Sequence, residues 1–117
     1  QRLIRTLCTA CCQPAAPSAD ALAHAEIDSV VSADWRFHRA VGCGACRGTG
    51  YKGRRAIAEM LVLNDEIREL IIGRAPIRQL KEAARRGGTR SLRENAIDLV
   101  REGITSLEEA NRVTFVA

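Results

Sequence analysis

Two cysteine pairs limit what this chain can fold into more than any other feature. Cys8-Thr9-Ala10-Cys11 and Cys43-Gly44-Ala45-Cys46 share one spacing, and together they read C-x2-C-x31-C-x2-C. Two thiols three positions apart face one point from a tight turn. Two such pairs supply four sulfurs, the number a tetrahedral all-cysteine site takes. The second pair lies in Gly42-Cys43-Gly44-Ala45-Cys46-Arg47-Gly48-Thr49-Gly50, whose glycines let backbone amides turn toward sulfur with no Cβ in the way. The fold must therefore bring the chain near residue 8 to the chain near residue 43.

The alternatives to a metal are weaker. There are five cysteines, an odd number, and no secretory signal opens the chain, so a disulfide framework is disfavoured. Cys12 adjoins Cys11 and does not chelate with it in one geometry, so it reads as a spare thiol. His24 and His38 have no second ligand at paired spacing. Four thiolates at Cys8, Cys11, Cys43 and Cys46 leave no position open, which makes the expected ion a structural zinc; an iron–sulfur cluster on the same four sulfurs is the other option. The chain opens at Gln1 rather than a methionine, and we read it as a fragment of something longer. No apolar run approaches the length of a membrane span.

Aromatic residues are 3% of the 117, so the core must be packed from aliphatic side chains. Leu3, Ile4 and Leu7 fall at helical spacing and predict a helix end over residues 1–7. A Pro/Ala/Ser-rich excursion follows over 12–19. Ser18 or Asp20 then caps an expected short helix over Ala21–Val31. Trp35 and Phe37 are expected to roof a small lobe around the metal. Residues 54–63, Arg-Arg-Ala-Ile-Ala-Glu-Met-Leu-Val-Leu, read as a strand bounded by Gly53 and Asn64-Asp65. From Asn64 the pattern is helical. Asn64 or Asp65 opens a helix with Ile67, Leu70 and Ile71 on one face. Pro76 opens another, carrying Ile77, Leu80, Ala83 and Ala84. Ser91-x-x-Glu94 and Ser106-x-x-Glu109 are capping boxes ahead of stripes at Leu92, Ala96, Leu99, Val100 and at Leu107, Ala110, Val113. The expected class is mainly α: a tetracysteine zinc lobe with short strands, followed by a four-helix subdomain of small-bundle character.

The chemistry that is absent also narrows the reading. No phosphate loop, no cluster of metal-binding carboxylates and no Ser/His/Asp or Cys/His nucleophile arrangement is present, so this piece should catalyse nothing. Net charge is +4, a modest excess. Arg36, Arg39, Arg47, Lys52, Arg54 and Arg55 gather around the second cysteine pair. They would offset the negative charge of a four-thiolate zinc, or meet an acidic partner or an anionic lipid surface. Few aromatics interleave with them, which speaks against nucleic acid.

Taken in order, Gln1-Arg2-Leu3-Ile4-Arg5-Thr6-Leu7-Cys8-x2-Cys11, Cys43-x2-Cys46-x-Gly48-Thr49-Gly50-Tyr51-Lys52-Gly53-Arg54, Ser91-Leu92-Arg93-Glu94 and Gly103-Ile104-Thr105-Ser106-Leu107-Glu108-Glu109 resemble the C-terminal part of the secretion ATPases, the assembly ATPases of type II secretion and type IV pili. The resemblance covers essentially the whole chain. It implies a hexameric cytoplasmic ATPase at the bacterial inner membrane that drives pilus or pseudopilus assembly. The nucleotide-binding elements, with ATP and magnesium, would lie upstream of this stretch. It further implies a division into the tail of a RecA-like core (1–7), a zinc-binding subdomain (8–52) and a C-terminal helical subdomain (53–117), with Cys8, Cys11, Cys43 and Cys46 as metal ligands. Neighbouring subunits and inner-membrane platform proteins would be the partners. Two departures stand out: Ala58 precedes Glu59 where the family often has an aromatic, and Cys12 disturbs the register of the first pair. The runners-up are a zinc-ribbon nucleic-acid binder and the zinc module of a J-domain co-chaperone, whose Cys-x2-Cys-x-Gly-x-Gly unit occurs only once here.

Overall fold

The computed structural model describes residues 1–28 and 30–115. Strand β1 (Arg2–Leu7) pairs antiparallel with β4 (Tyr51–Ile57), with Arg2 opposite Ile57, Ile4 opposite Arg55 and Leu7 opposite Tyr51 across a bulge. The chain between them forms the lobe: β2 (Gln13–Pro14), helix α1 (Ala19–His24), β3 (His38–Arg39) paired with β2, and a 3-10 turn at Gly44–Cys46. Four helices follow, α2 (Asp65–Ile72), α3 (Ile77–Arg86), α4 (Leu92–Arg101) and α5 (Leu107–Thr114).

Residues 1–7 are thus a strand and not the expected helix end. The apolar spacing fits both, and the partner decides: β4 supplies a ladder that a one-turn helix has no means to match. Only alternate positions then face inward, so Ile4 is buried while Leu3 is 56% exposed. The second strand starts earlier than expected, at Tyr51, and its ladder stops at Ile57; residues 58–63 carry no ladder. The helix expected over 21–31 is shorter and earlier. Ser18 caps it by accepting from Ala21 N–H, and it ends at His24, with Glu26 at φ 60 leading out. Position 29 of that expected helix and positions 116–117 of the expected helical part lie outside the described residues.

The helical half follows the caps. Asn64 accepts from Ile67 N–H, and Ser91 and Glu94 form the reciprocal capping box of α4. Ser106 caps α5 by accepting from Glu109 N–H, but Glu109 does not return the bond, because its carboxylate is engaged elsewhere. The helices pack as two pairs, α2 on α3 and α4 on α5, rather than as one bundle. The core joins α4 and α5 to the ribbon: Ile4, Ile57, Ala96, Leu99, Val100, Ala110 and Val113, with Phe37 packed alongside. Phe37 therefore serves this core more than the lobe, and Trp35 lies beside it at 5.8 Å between ring centroids. The α2–α3 pair buries little; Ile71 and Ile77 of its expected stripes stay exposed, as does Ile72.

Candidate metal centre

The ribbon is what brings the two cysteine pairs together. Cys8 directly follows β1, and its N–H donates to the carbonyl of Gly50, just before β4 (2.9 Å). The first pair turns back at once, with Cys12 N–H donating to Cys8 C=O (2.9 Å). The second pair sits on the 3-10 turn, followed by Arg47 in the left-handed region at φ 57. Gly50 closes the site. It holds φ at +82, and a Cβ there would lie 2.5 Å from that of Ala40, so no other residue fits.

The Sγ atoms of Cys8, Cys11, Cys43 and Cys46 all lie within 4.8 Å of one another. Three of the separations, Cys8–Cys43, Cys11–Cys46 and Cys43–Cys46, are 3.8 Å. Zinc–sulfur bonds of about 2.3 Å at tetrahedral angles put sulfurs about 3.8 Å apart, so the donor set has the dimensions of a four-thiolate zinc site. Backbone amides aim at two of the sulfurs: Gly42 N–H at Cys11 (3.3 Å), and Cys43 N–H (3.1 Å) and Gly50 N–H (3.2 Å) at Cys46. Such donors stabilise thiolate. At Cys46 burial opposes ionisation, but the two amides together with hydrogen bonds from the Cys43 and Cys11 thiols outweigh it and lower its pKa to about 6. At Cys11 the Gly42 amide is outweighed by burial and by hydrogen bonds to the other three thiols, which raise its pKa to about 11. A bound cation would remove that conflict by drawing all four to the thiolate form.

The four cysteines singled out from spacing are thus the four that meet. Cys12 is outside the cluster. So are both histidines: His38 Nδ1 lies 2.8 Å from the Arg36 carbonyl, and His24 packs edge-on to Phe115. The basic residues do not share one element. Lys52, Arg54 and Arg55 are exposed on β4, and Arg47 is exposed in the turn. Arg39 donates to Gln13 Oε1 (2.8 Å). Arg36 instead lines a small groove with Asp34, Arg101 and Glu102.

One structural cluster is not apparent in the sequence. Glu109, buried at 1% exposure, accepts from the backbone N–H, Nε and Nη2 of Arg5 (2.9, 3.1 and 3.0 Å) and from Nε and Nη2 of Arg112 (2.6 and 2.9 Å). Arg5 also stacks over the Tyr51 ring at 4.2 Å, and Tyr51 Oη shares a 2.6 Å hydrogen bond with Ser106 Oγ. This network, with Leu7 N–H on the Ile104 carbonyl (2.8 Å), fastens both strands flanking the metal lobe to the start of α5. Glu109 is read in the sequence as a helix cap, which hides its role. Among the described residues no helix is long and apolar enough to cross a membrane.

Over residues 1–112 the chain matches the family described as type II/IV secretion system protein. It is 40% identical over 109 residues to the type IV pilus assembly ATPase PilB of Thermus thermophilus, covering 93% of this chain and 12% of that protein. It is 43% identical over 114 residues to the type II secretion system ATPase E of Vibrio cholerae, covering 97% of this chain and 22% of that protein. The same identity and span relate it to the type II secretion system protein HxcR of Pseudomonas aeruginosa, with 20% of that protein covered. The chain thus spans about an eighth to a fifth of the length of these relatives.

Proposed function

Because the chain belongs to the type II/IV secretion system protein family, we propose that it is the metal-stapled C-terminal part of a hexameric ATPase powering protein secretion or pilus assembly. The observation that supports this most is the coincidence of two independent features. The alignment runs almost end to end along the chain, and the four cysteines it includes converge to zinc-site dimensions. On this reading Cys8, Cys11, Cys43 and Cys46 hold a structural zinc. The part described here has no nucleotide site of its own. ATP and magnesium belong to the rest of the longer protein, which works in the cytoplasm against the inner membrane. The helices transmit motion between subunits. The metal lobe meets the membrane platform, and Arg36, Arg39, Arg47, Lys52, Arg54 and Arg55 provide cations for acidic protein or anionic lipid there.

The test uses the longer protein and a Cys43→Ser variant. We expect one zinc per chain in the parent, none in the variant, and a fall in secretion or pilus assembly with ATP binding retained. The isolated chain should hydrolyse no ATP. A variant that lost its zinc and kept full assembly activity would sink the proposed role of the lobe.

A further inference from the structure

The four sulfurs pair off across the two knuckles. Cys8 Sγ lies 3.8 Å from Cys43 Sγ, and Cys11 Sγ lies 3.8 Å from Cys46 Sγ. These two separations share no sulfur, so together they use all four. The third 3.8 Å separation, Cys43–Cys46, shares a sulfur with each and is incompatible with both. Each cross-knuckle pair also joins unlike sites. Cys8 and Cys46 are buried, whereas Cys11 and Cys43 are half-buried. One sulfur of each pair is therefore open to a small reagent, and the other is sheltered at contact distance from it.

The ribbon fixes this facing arrangement whether or not an ion is bound. Cys8 N–H donates to the Gly50 carbonyl at 2.9 Å, and Leu7 stands opposite Tyr51 in the ladder. The knuckles thus meet at an effective concentration set by the fold. An S–S bond is about 2.05 Å long, so each pair has only about 1.8 Å to close. Cys12 has no such partner. It lies outside the cluster. Across their trans peptide its Cα stands about 3.8 Å from that of Cys11, short of the roughly 4.4 Å that an unstrained disulfide spans.

We infer that the cysteine centre is a reversible oxidation site for peroxides, and that it closes as two cross-knuckle disulfides, Cys8–Cys43 and Cys11–Cys46. The displaced ion depends on the metal reading above; the pairing of the sulfurs does not. In each pair the half-buried thiolate attacks one peroxide oxygen. The O–O bond breaks, hydroxide leaves, and the sulfur becomes a sulfenic acid. The facing thiolate then attacks that sulfur, forms the S–S bond and expels the second oxygen as hydroxide. Two protons turn the two hydroxides into water. The sulfurs of each pair lose two electrons, and the peroxide gains them. Both pairs together consume two peroxide molecules and four protons and give four waters. No thiolate then remains to hold zinc, which is released. Each disulfide ties the first knuckle to the second, as the ion does, so the lobe stays closed. Oxidation therefore exchanges one staple for another, whereas chelation removes the staple.

The test treats the zinc-loaded longer protein with a few equivalents of hydrogen peroxide per chain. Zinc release is followed with a chromogenic chelator, and tandem mass spectrometry of the unreduced digest assigns the sulfur pairs. We expect one zinc released per chain, both cross-knuckle bonds within one chain, Cys12 still open to alkylation, and zinc uptake restored by a thiol reductant. Cys12→Ser should release zinc at the parent's rate. A release more than about threefold slower would make Cys12 the attacking thiol and overturn the inference. Amides of residues 42–50 should exchange at least about tenfold more slowly in the oxidised protein than in the chelated one. Exchange as fast as in the chelated protein overturns the inference. So does a Cys43–Cys46 bond, any bond to Cys12, sulfinic acid in place of disulfide, or zinc that stays bound. A parent holding no zinc before treatment refutes the metal reading instead, and the disulfide map of that sample still decides the pairing.

Discussion

Glu109→Gln probes the junction between the metal lobe and the helices. The carboxylate is buried and takes five hydrogen bonds from Arg5 and Arg112. Burial alone would raise its pKa, but the two guanidinium groups and the Arg5 amide lower it from 4.5 to about 2. At about 1.4 kcal/mol per unit, that depression corresponds to about 3 kcal/mol of stability. The Arg5 and Arg112 side chains are partly exposed, so water recovers some of the loss in the variant, and we expect about 2–3 kcal/mol. Since the folded-state pKa is lowered, the contribution is full above about pH 4.5 and disappears as pH falls toward 2. The assay is urea unfolding of parent and variant at pH 7, with zinc content checked in both. A chelated pair is followed from pH 6 to pH 3. The difference between them should narrow below pH 4.5. A difference under about 0.5 kcal/mol at pH 7, or one that stays constant to pH 3, would refute the assignment of Glu109 as the ionised centre of this junction.

Gly50→Ala should cost at least about 2 kcal/mol and weaken zinc retention in a chelator competition, because it combines φ +82 with a Cβ 2.5 Å from that of Ala40. Ser91→Ala should cost about 1 kcal/mol in thermal unfolding, the usual loss for an N-cap. Ser106→Ala should cost about twice that, since Ser106 Oγ both caps α5 and bonds the Tyr51 hydroxyl. Chelation should free four thiols and speed amide exchange across residues 42–50, while Val100 and Ala110 stay protected in their apolar core.

The caps and the cysteine cluster are legible because each follows a local rule. Asn64, Ser91 and Ser106 need only the next three residues to act, and four cysteines at paired spacing point at one centre whatever lies between them. What failed depended on partners far along the chain. Leu3, Ile4 and Leu7 suit a helix turn as well as a bulged strand, and only β4, more than forty residues on, decides between them. Glu109 looks like half of a capping box until Arg5 arrives from the other end of the chain. Residues 54–63 read as one strand, yet 58–63 form no ladder, because their backbone partners here are the Asn95 and Thr89 side chains.

The metal lobe and the ribbon differ in what holds them. β1 and β4 pair beside a core of Ile4, Ile57, Leu99 and Val100, so the ends of the lobe are already joined without any ion. The lobe itself buries little apolar surface beyond Leu22 and Ala25, and its second knuckle rests on left-handed residues at Gly42, Arg47, Gly48 and Gly50. Such backbone is costly to order, and hydrophobic burial there is too small to offset it. A cation held by the four sulfurs, three of whose separations are 3.8 Å, would supply the missing term. On the proposed reading, the position of the lobe is set by the apolar body and its internal order by the metal. Changes at Glu109 or Ile57 should displace the lobe as a unit, whereas changes at the cysteines should disorder it in place.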